Sequence, residues 1–166
     1  AKTRDTKLLH TLANFYCELA SLALEKDEFI EVIELLDHAL SHDPNSSRAN
    51  WLMAQIYKNH QQYNEACQCY KAIYEQDKEF FPDVIEKMFI CYQELDAEEE
   101  FFQFIRKVYE ETGSTSALIK YLTHIEQVKG VNPAKKFILS ALKRRPTIRG
   151  FKHFVKMQMN GSEAEN

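Results

Sequence analysis

Residues 43–57 read DPNSSRANWLMAQIY, and this stretch decides the fold. Pro44 steers the residue before it out of the helical region of backbone conformations, so a preceding helix must end there. The hydroxyl of Ser46 can accept a hydrogen bond from the first amides of a new helix, which makes it a candidate N-cap. Apolar side chains then continue at helical spacing to Tyr57, and a second helical pattern starts at Tyr63. The stretch therefore predicts a helix–turn–helix unit.

The order of small and aromatic residues in this unit matches a known repeat. Ala54 is followed three residues later by Tyr57, and Ala66 is followed four residues later by Tyr70. This is the order found in tetratricopeptide repeats, which have a period of about 34 residues. The alanines allow two antiparallel helices to approach closely, and the tyrosines fill the space between neighbouring hairpins.

The pattern recurs along the chain without insertions, at Ala20 one period earlier and at Leu122 and Ala134 two periods later. The unit between is degenerate, with Glu100 where an alanine is expected. We therefore predict an all-α fold, a tetratricopeptide-repeat superhelical solenoid of about four helix hairpins plus a C-terminal capping helix. The expected organisation is a single domain over residues 1–160, with repeats at about 13–46, 47–80, 81–114 and 115–148, a capping helix at 149–160, and a linker or tail at 161–166.

Several residues mark expected turns and helix ends. The first hairpin should turn near Asp27. Pro82 fits the first turn of the fifth helix, where its missing amide proton costs nothing. Gly113–Ser114 reads as a helix stop followed by a cap. Asn132 is expected to cap the next helix, with Pro133 at its first position.

Composition indicates a folded, helix-rich domain. The 166 residues are 45% hydrophobic and 28% charged, with only four Gly and four Pro, a balance that argues against disorder. No apolar run reaches the roughly 18 residues that a membrane-spanning helix needs, and no signal peptide is visible. We expect this segment to be soluble. It opens without a Met, which suggests a piece of a longer protein.

Charge is distributed unevenly along the chain. Residues 1–114 contain 11 Lys and Arg against 22 Asp and Glu, whereas residues 115–166 contain 10 against 3, for a net charge of −4. The candidate basic patch comprises Lys143, Arg144, Arg145 and Arg149. It can serve an anionic lipid surface, a protein or intramolecular contact, or simply a solvated face. Nucleic-acid binding is disfavoured because the chain as a whole is acidic.

No catalytic or metal-binding motif is apparent. The four cysteines, Cys17, Cys67, Cys69 and Cys91, lack zinc-ligand spacing, and we interpret them as reduced thiols packed as small hydrophobes. His38 and His42 share a helix face, but no third ligand converges on them. Nucleophile elbows, phosphate loops and zinc-protease motifs are missing. We therefore predict a protein that is not an enzyme and has no cofactor in this segment.

A partner-binding groove is the remaining candidate site. In tetratricopeptide folds the first helix of each pair lines a concave surface, and aromatic and Arg side chains on such surfaces are common anchors. The alternative, a shift of one residue, would bury Trp51 inside its hairpin, and the sequence leaves this choice open. In the expected register the groove residues are Arg48, Trp51, Gln55, Asn59, Phe89 and Tyr92.

Four strings point to a more specific relationship. They are NFYCELA at residues 14–20, NSSR at 45–48, CYQEL at 91–95 and, above all, RPTIRGF at 145–151. The strings resemble the lipopolysaccharide assembly protein B (LapB, also called YciM) family of Gram-negative bacteria. The resemblance covers nearly the whole chain, and it weakens in the degenerate third repeat.

The resemblance implies a function and a location. Members of that family have an inner-membrane anchor at the N-terminus, cytoplasmic tetratricopeptide repeats, and a C-terminal rubredoxin-like metal domain. They act as adaptors that promote degradation, by the FtsH-type membrane protease, of the deacetylase that commits flux to lipid A. The expectation is thus a protein-binding segment on the cytoplasmic face of the inner membrane, with the anchor and the metal lying outside this sequence.

Two other functions stay open. A generic scaffold in envelope assembly or secretion would share every repeat feature. A metal or redox protein is also compatible, if its working domain lies outside this segment.

Overall fold

The computed structural model describes residues 2–26 and 28–162, and within these ranges it contains nine α-helices and no strand. The prediction of an all-α fold is therefore confirmed for the described residues. In chain order the helices are α1 (Lys2–Leu24), α2 (Phe29–His42), α3 (Ser47–Asn59), α4 (Tyr63–Gln76), α5 (Phe81–Glu94), α6 (Glu98–Thr112), α7 (Thr115–Lys129), α8 (Val131–Arg144) and α9 (Ile148–Ser162).

Local signals set most helix ends as predicted. The Ser46 hydroxyl accepts a hydrogen bond from the amide of Ala49 at 3.2 Å and so caps α3. Pro82 lies in the first turn of α5. Gly113 ends α6 with a φ of 71°, which a glycine adopts without a steric penalty. Ser114 then caps α7 through its hydroxyl.

The prediction for the start of α8 is wrong. The helix begins at Val131 with Gly130 as its N-cap, and no side chain caps it, so Asn132 lies within the first turn. Gly130 has a φ of 88°, which provides the break between α7 and α8. Pro133 is still tolerated, because the first four amides of a helix have no intrahelical partner. The turn predicted at Asp27 lies outside the described residues.

The last helix has a capped start. The hydroxyl of Thr147 accepts a hydrogen bond from the amide of Gly150 at 3.1 Å. A side chain on Gly150 would crowd the Thr147 hydroxyl and Leu142, so this glycine also allows the helix to approach α8 closely. The helix α9 continues to Ser162, two residues into the stretch predicted as a linker.

The first of two compact units comprises the described residues up to Asp96. It contains α1 to α5, with α2 packed on α1 and α4 packed on α3. Several buried side chains of these helices are small, and Ala66 is 0% exposed, which confirms its predicted burial. The rings of Tyr74 and Phe81 lie 5.0 Å apart and connect α4 to α5.

The second unit comprises the described residues from Ala97 onward and contains α6 to α9. Phe102 of α6 stacks on His124 of α7, with ring centroids 3.7 Å apart and an interplanar angle of 11°. Phe137 of α8 packs against Tyr121 of α7 at 5.2 Å. Since the boundary falls between α5 and α6, the two helices predicted to form the third repeat belong to different units.

Candidate protein-binding surface

The environment of Trp51 is the best-defined feature of the predicted groove. The side chain is half-buried on α3, and its ring lies 5.8 Å from that of Phe80 in an edge-on arrangement. The ring of Tyr70 lies 6.3 Å away on α4. The ammonium group of Lys87 on α5 sits 5.1 Å from the centroid of the indole. Side chains from α4, from α5 and from the turn before α5 therefore surround this ring.

Hydrogen bonds extend this arrangement along α3. The side-chain amide of Gln55 donates to the hydroxyl of Tyr70 at 3.1 Å. Burial raises the pKa of Tyr70, so its hydroxyl remains protonated at neutral pH. We call Trp51, Gln55, Tyr70, Phe80 and Lys87 the Trp51 cluster.

Two further predicted groove residues lie at the ends of α3. Near the start, Arg48 forms an ion pair with Glu18 of α1, with 2.8 Å between the guanidinium and a carboxylate oxygen. Asn59 is exposed and is the last residue of the helix. The ion pair links α3 to α1, and the Arg48 side chain stays 44% exposed beside it.

Two residues of α5, Phe89 and Tyr92, were predicted to line the groove. They lie on other faces of the helix than Lys87, which contacts Trp51. Lys87 is the α5 residue over the indole ring. At roughly 100° of rotation per residue, Phe89 lies about 200° around the helix from Lys87, and Tyr92 about 140°. Tyr92 is buried, with the ammonium group of Lys71 from α4 at 5.6 Å from its ring. The α5 side chain over the Trp51 ring is thus Lys87, which was not among the predicted groove residues.

Lys87 and Phe80 were not among the predicted site residues. Phe80 directly precedes the Phe81–Pro82 helix start, so an aromatic at that turn is a signal that could have been used. Lys87 has no comparable signal, because it meets Trp51 across 36 positions of sequence and depends on how α5 packs. Tyr70 was recognised only as a filler between hairpins.

Three of the four residues of the predicted basic patch line two cavities of the second unit. Arg144 and Arg145 line a cavity of about 290 Å³ together with Arg106, Tyr109 and Glu110 of α6. Burial raises the pKa of Tyr109, and the two nearby guanidinium groups oppose that shift.

The remaining two cations of the patch lie elsewhere. Lys143 lines an apolar cavity of about 530 Å³ formed by α8, α9 and the turn between them. Phe151, which is 59% exposed, contributes to the same cavity. Arg149 is exposed near the start of α9.

The histidines identified in the sequence contact an aromatic ring. Tyr16 of α1 stacks against both His38 and His42 of α2, at 5.3 Å and 5.5 Å. Asp43 receives a hydrogen bond from His10, with 2.7 Å between the nitrogen and the carboxylate oxygen. These contacts join α1 to the C-terminal half of α2 and the residue that follows it.

The side chains of this segment do not match the ligands of the metal centre that the family resemblance implies for another domain. That centre uses paired Cys-x-x-Cys ligands, whereas this sequence contains no such pair. Among the described residues, no three His, Cys, Asp or Glu side chains converge as a metal site. In the same part of the chain, no helix is both long and apolar enough to cross a bilayer.

Comparison with known proteins agrees with the repeat pattern. A family model described as tetratricopeptide repeat matches residues 23–86. Lipopolysaccharide assembly protein B of Escherichia coli strain K12 is 28% identical over 152 residues, which cover 92% of this chain and 39% of that protein. The protein of the same name from Haemophilus influenzae is 26% identical over 152 residues, with 92% and 38% coverage. This chain thus spans about two-fifths of the length of these relatives.

A solved structure shows the same fold. The crystal structure of YrrB, a TPR protein with an unusual peptide-binding site, superposes with a TM-score of 0.53 at 16% identity. The match covers 79% of this chain and 68% of YrrB. The described residues therefore have an all-α tetratricopeptide-repeat fold, and the chain is similar in sequence to lipopolysaccharide assembly protein B.

Proposed function

We propose that this chain is a non-enzymatic protein-interaction module and that the Trp51 cluster anchors a segment of its partner. The observation that carries the proposal is the half-buried indole ring held by Phe80, Tyr70 and Lys87. A large aromatic side chain that is already ordered loses little conformational entropy when a partner covers it. Such rings are enriched among the residues that contribute most to binding.

The polar groups around the ring give the surface its specificity. Gln55 is oriented by the Tyr70 hydroxyl, and Arg48 is oriented by Glu18. Both side chains keep unused hydrogen-bonding groups, since an amide and a guanidinium each carry several. Together with Lys87, which lies over the indole ring, these residues suit a partner segment that combines an apolar side chain with carbonyl or carboxylate oxygens.

Similarity to lipopolysaccharide assembly protein B suggests the identity of the partners. We propose that the chain acts as an adaptor between an FtsH-type membrane protease and the deacetylase of lipid A synthesis, at the cytoplasmic face of the inner membrane. The support is the relationship over 92% of this chain together with a fold suited to binding peptides. Phe89 remains proposed as a secondary contact, whereas the predicted contact at Tyr92 is not proposed further, because this side chain is buried.

The test is capture of these two proteins by the purified chain. Binding of the deacetylase and of the cytoplasmic part of the protease is measured by biolayer interferometry for the unmodified chain, for Trp51→Ala and for Trp51→Phe. Truncation of an aromatic anchor commonly costs about 2 kcal/mol, which corresponds to roughly a 30-fold loss of affinity. We expect such a loss for Trp51→Ala and partial retention for Trp51→Phe.

Phe15→Ala is the matched control, because Phe15 is an aromatic residue of the same unit that is 59% exposed. Its affinity should equal that of the unmodified chain. If Trp51→Ala melts normally and binds as tightly as the unmodified chain, the Trp51 cluster is not the anchor. If neither protein binds the unmodified chain, the adaptor proposal is wrong and only a generic interaction module is left.

A further inference from the structure

A polar cavity of about 290 Å³ lies between α6 and α8 in the second unit. On α6, the side chains of Arg106, Tyr109 and Glu110 line it. These residues occupy positions i, i+3 and i+4, so they share one face of the helix. The Nε atom of Arg106 donates to a carboxylate oxygen of Glu110 at 2.9 Å. Because Glu110 lies one turn later, this ion pair holds the guanidinium group toward the C-terminal end of α6.

The facing wall of the cavity comes from α8 and its C-cap. Phe137, Ser140 and Arg144 follow one another at intervals of three and four residues, and therefore share one face of α8. The rings of Phe137 and Tyr109 lie 6.3 Å apart and connect the two helix faces. Arg145, the C-cap of α8, also lines the cavity. Residues far apart in sequence thus supply three guanidinium groups to one site.

The position of Arg145 depends on Gly113, the glycine that ends α6. A side chain on Gly113 would collide with the Nη1 atom of Arg145. The Arg145 guanidinium group therefore lies directly over the C-terminal end of α6. The last carbonyl groups of a helix have no intrahelical partner and carry a partial negative charge, which stabilises a cation at this place. The end of α6 thus orients one of the three guanidinium groups.

The charge and the donor groups of the cavity define the ligand that it suits. Among the residues that line it, three guanidinium groups face one carboxylate, which leaves a net charge of +2. Arg106 keeps its Nη groups available beside the ion pair, and Tyr109 and Ser140 bring two hydroxyl groups. A phosphate monoester carries a charge of about −2 at neutral pH and three strong acceptor oxygens. Carboxylates and phosphate diesters carry one charge only and match this cavity less well.

We propose that this cavity, which we call the arginine cavity, binds the dianionic head of a phosphate monoester. Arg106, Arg144 and Arg145 donate to its three terminal oxygens, since guanidinium groups match phosphate geometry. The ester substituent lies against the rings of Tyr109 and Phe137. Pockets for drug-sized ligands have volumes of about 300–1,000 Å³, so a cavity at the lower end of this range holds the phosphate and a small part of its substituent.

The arginine cavity is separate from the Trp51 cluster, whose residues all belong to the first unit. It therefore does not depend on the proposed adaptor function, and either proposal can fail without the other. Two sources supply the same head group. One is a free phosphate monoester, and the other is a lipid with a phosphate monoester head, such as phosphatidic acid.

The test titrates the isotope-labelled full chain with phenyl phosphate in a low-salt buffer at neutral pH and follows the backbone amides by NMR. We expect saturable shifts with one site per chain, concentrated at residues 106–113 and 137–145. Dimethyl phosphate is the matched probe, because it is a diester with one charge and two terminal oxygens. It should bind at least about tenfold more weakly.

Substitutions at the exposed arginines locate the site without disturbing the core. Arg144→Gln and Arg145→Gln should each weaken binding of phenyl phosphate by about tenfold or more, as loss of a hydrogen bond to a charged group commonly does. Arg145→Lys keeps the charge but loses the planar fork, so it should restore only part of the affinity. Arg149→Gln is the matched control, since it removes the same charge from an exposed residue outside the cavity lining, and its affinity should equal that of the unmodified chain.

A second arm distinguishes the two sources of the head group. Vesicles of phosphatidylcholine with phosphatidic acid are co-sedimented with the chain, with and without phenyl phosphate. Sedimentation that phenyl phosphate displaces supports the lipid head group as the ligand. Binding of phenyl phosphate by a chain that ignores the vesicles supports a free phosphate monoester. The proposal is overturned if phenyl phosphate causes no saturable shifts, if dimethyl phosphate binds equally well, or if Arg149→Gln weakens binding as much as Arg144→Gln.

Discussion

Ala66 shows how strongly a single small side chain can constrain this fold. It lies on α4 with no exposed surface, at the position where the repeat pattern places the closest approach of two helices. Ala66→Leu adds three carbon atoms to a site without space for them, and overpacking of this kind costs about 1–3 kcal/mol. We therefore expect a lower Tm by differential scanning calorimetry. Gln68→Leu, an exposed change on the same helix, should leave Tm nearly unchanged. Equal melting of the two variants would place Ala66 outside a tight contact.

The partly buried imidazole of His153 leads us to predict that the stability of the second unit depends on pH. Burial lowers the pKa of its imidazole, the Glu126 carboxylate opposes this shift, and the Lys156 ammonium adds to it. Its Nε2 atom is buried without a hydrogen-bond partner. Because the folded-state pKa is below the value of about 6.5 in an unfolded chain, the unfolded state binds more protons between the two pKa values. Stability should therefore fall as pH decreases below about 6.5.

The measurement is Tm at intervals from pH 8 to pH 5, for the unmodified chain and for His153→Gln. The variant should lose less stability over that range, since its side chain does not titrate. Lys152→Gln, which removes an exposed charge from the same helix, should keep the slope of the unmodified chain. Parallel curves for the unmodified chain and His153→Gln would show that the pKa of this imidazole does not change on folding.

Individual residues also show how far sequence reasoning extends. The burial of Ala66 and the cap at Ser46 depend on neighbours within one hairpin or one turn, so both were predictable. The surroundings of Trp51 depend on Lys87, which a different helix supplies, and helical periodicity on α3 says nothing about that helix. The predicted grouping of Trp51 with Phe89 assumed that equivalent positions in successive repeats face one surface. The structure adds Lys87 over the Trp51 ring, a contact that this assumption does not give.

Among the helices, capped starts are the most directly testable feature. The Ser46 hydroxyl accepts a hydrogen bond from an amide that has no partner within α3. Ser46→Ala should cost about 1 kcal/mol, as loss of an N-cap commonly does. Ser41→Ala removes a hydroxyl that only donates to a carbonyl of its own helix, so it should change stability by less than about 0.5 kcal/mol. Urea denaturation of both variants measures the difference. If they match, the capping bond contributes nothing to the stability of α3.

Helix boundaries were predicted correctly where a single local effect determines them. Gly113 and Ser114 end one helix and start the next by backbone freedom and side-chain capping, and neither effect depends on distant contacts. The start of α8 was missed because two signals overlap there. Asn132 is a good cap in isolation, but the positive φ of Gly130 already breaks the chain and lets the helix begin before it.

At the scale of the whole molecule, the sequence alone gives the net charge. The packing of the helices then determines where the charged side chains lie. The acidic part of the chain, residues 1–114, and the basic part, residues 115–166, have net charges of −11 and +7. Between residues 131 and 157 there are eight Lys and Arg and no Asp or Glu. Of the predicted patch, Lys143 lines one cavity of the second unit, and Arg144 and Arg145 line another. The cations of the patch therefore do not form one continuous surface.

Binding to anionic membranes tests what this charge does. A basic residue near an anionic bilayer contributes about 1 kcal/mol, and the attraction falls off within a Debye length of about 10 Å at 0.1 M salt. Replacing Lys143, Arg144 and Arg145 by Ala should therefore weaken binding to phosphatidylglycerol vesicles by up to roughly 150-fold at low salt. Co-sedimentation at low and physiological salt measures the loss. The unmodified chain should also release the vesicles as salt rises.

The matched control for this triple variant removes three exposed cations of the first unit, Lys7, Lys26 and Lys78. It subtracts the same charge from the whole chain but leaves the basic helices intact, so its binding should stay close to that of the unmodified chain. If the two triple variants bind equally, net charge alone governs the attraction and the patch has no role of its own. If all three proteins bind equally, the lipid interpretation of the patch is removed. The basic residues are then left to a protein contact or to a solvated face.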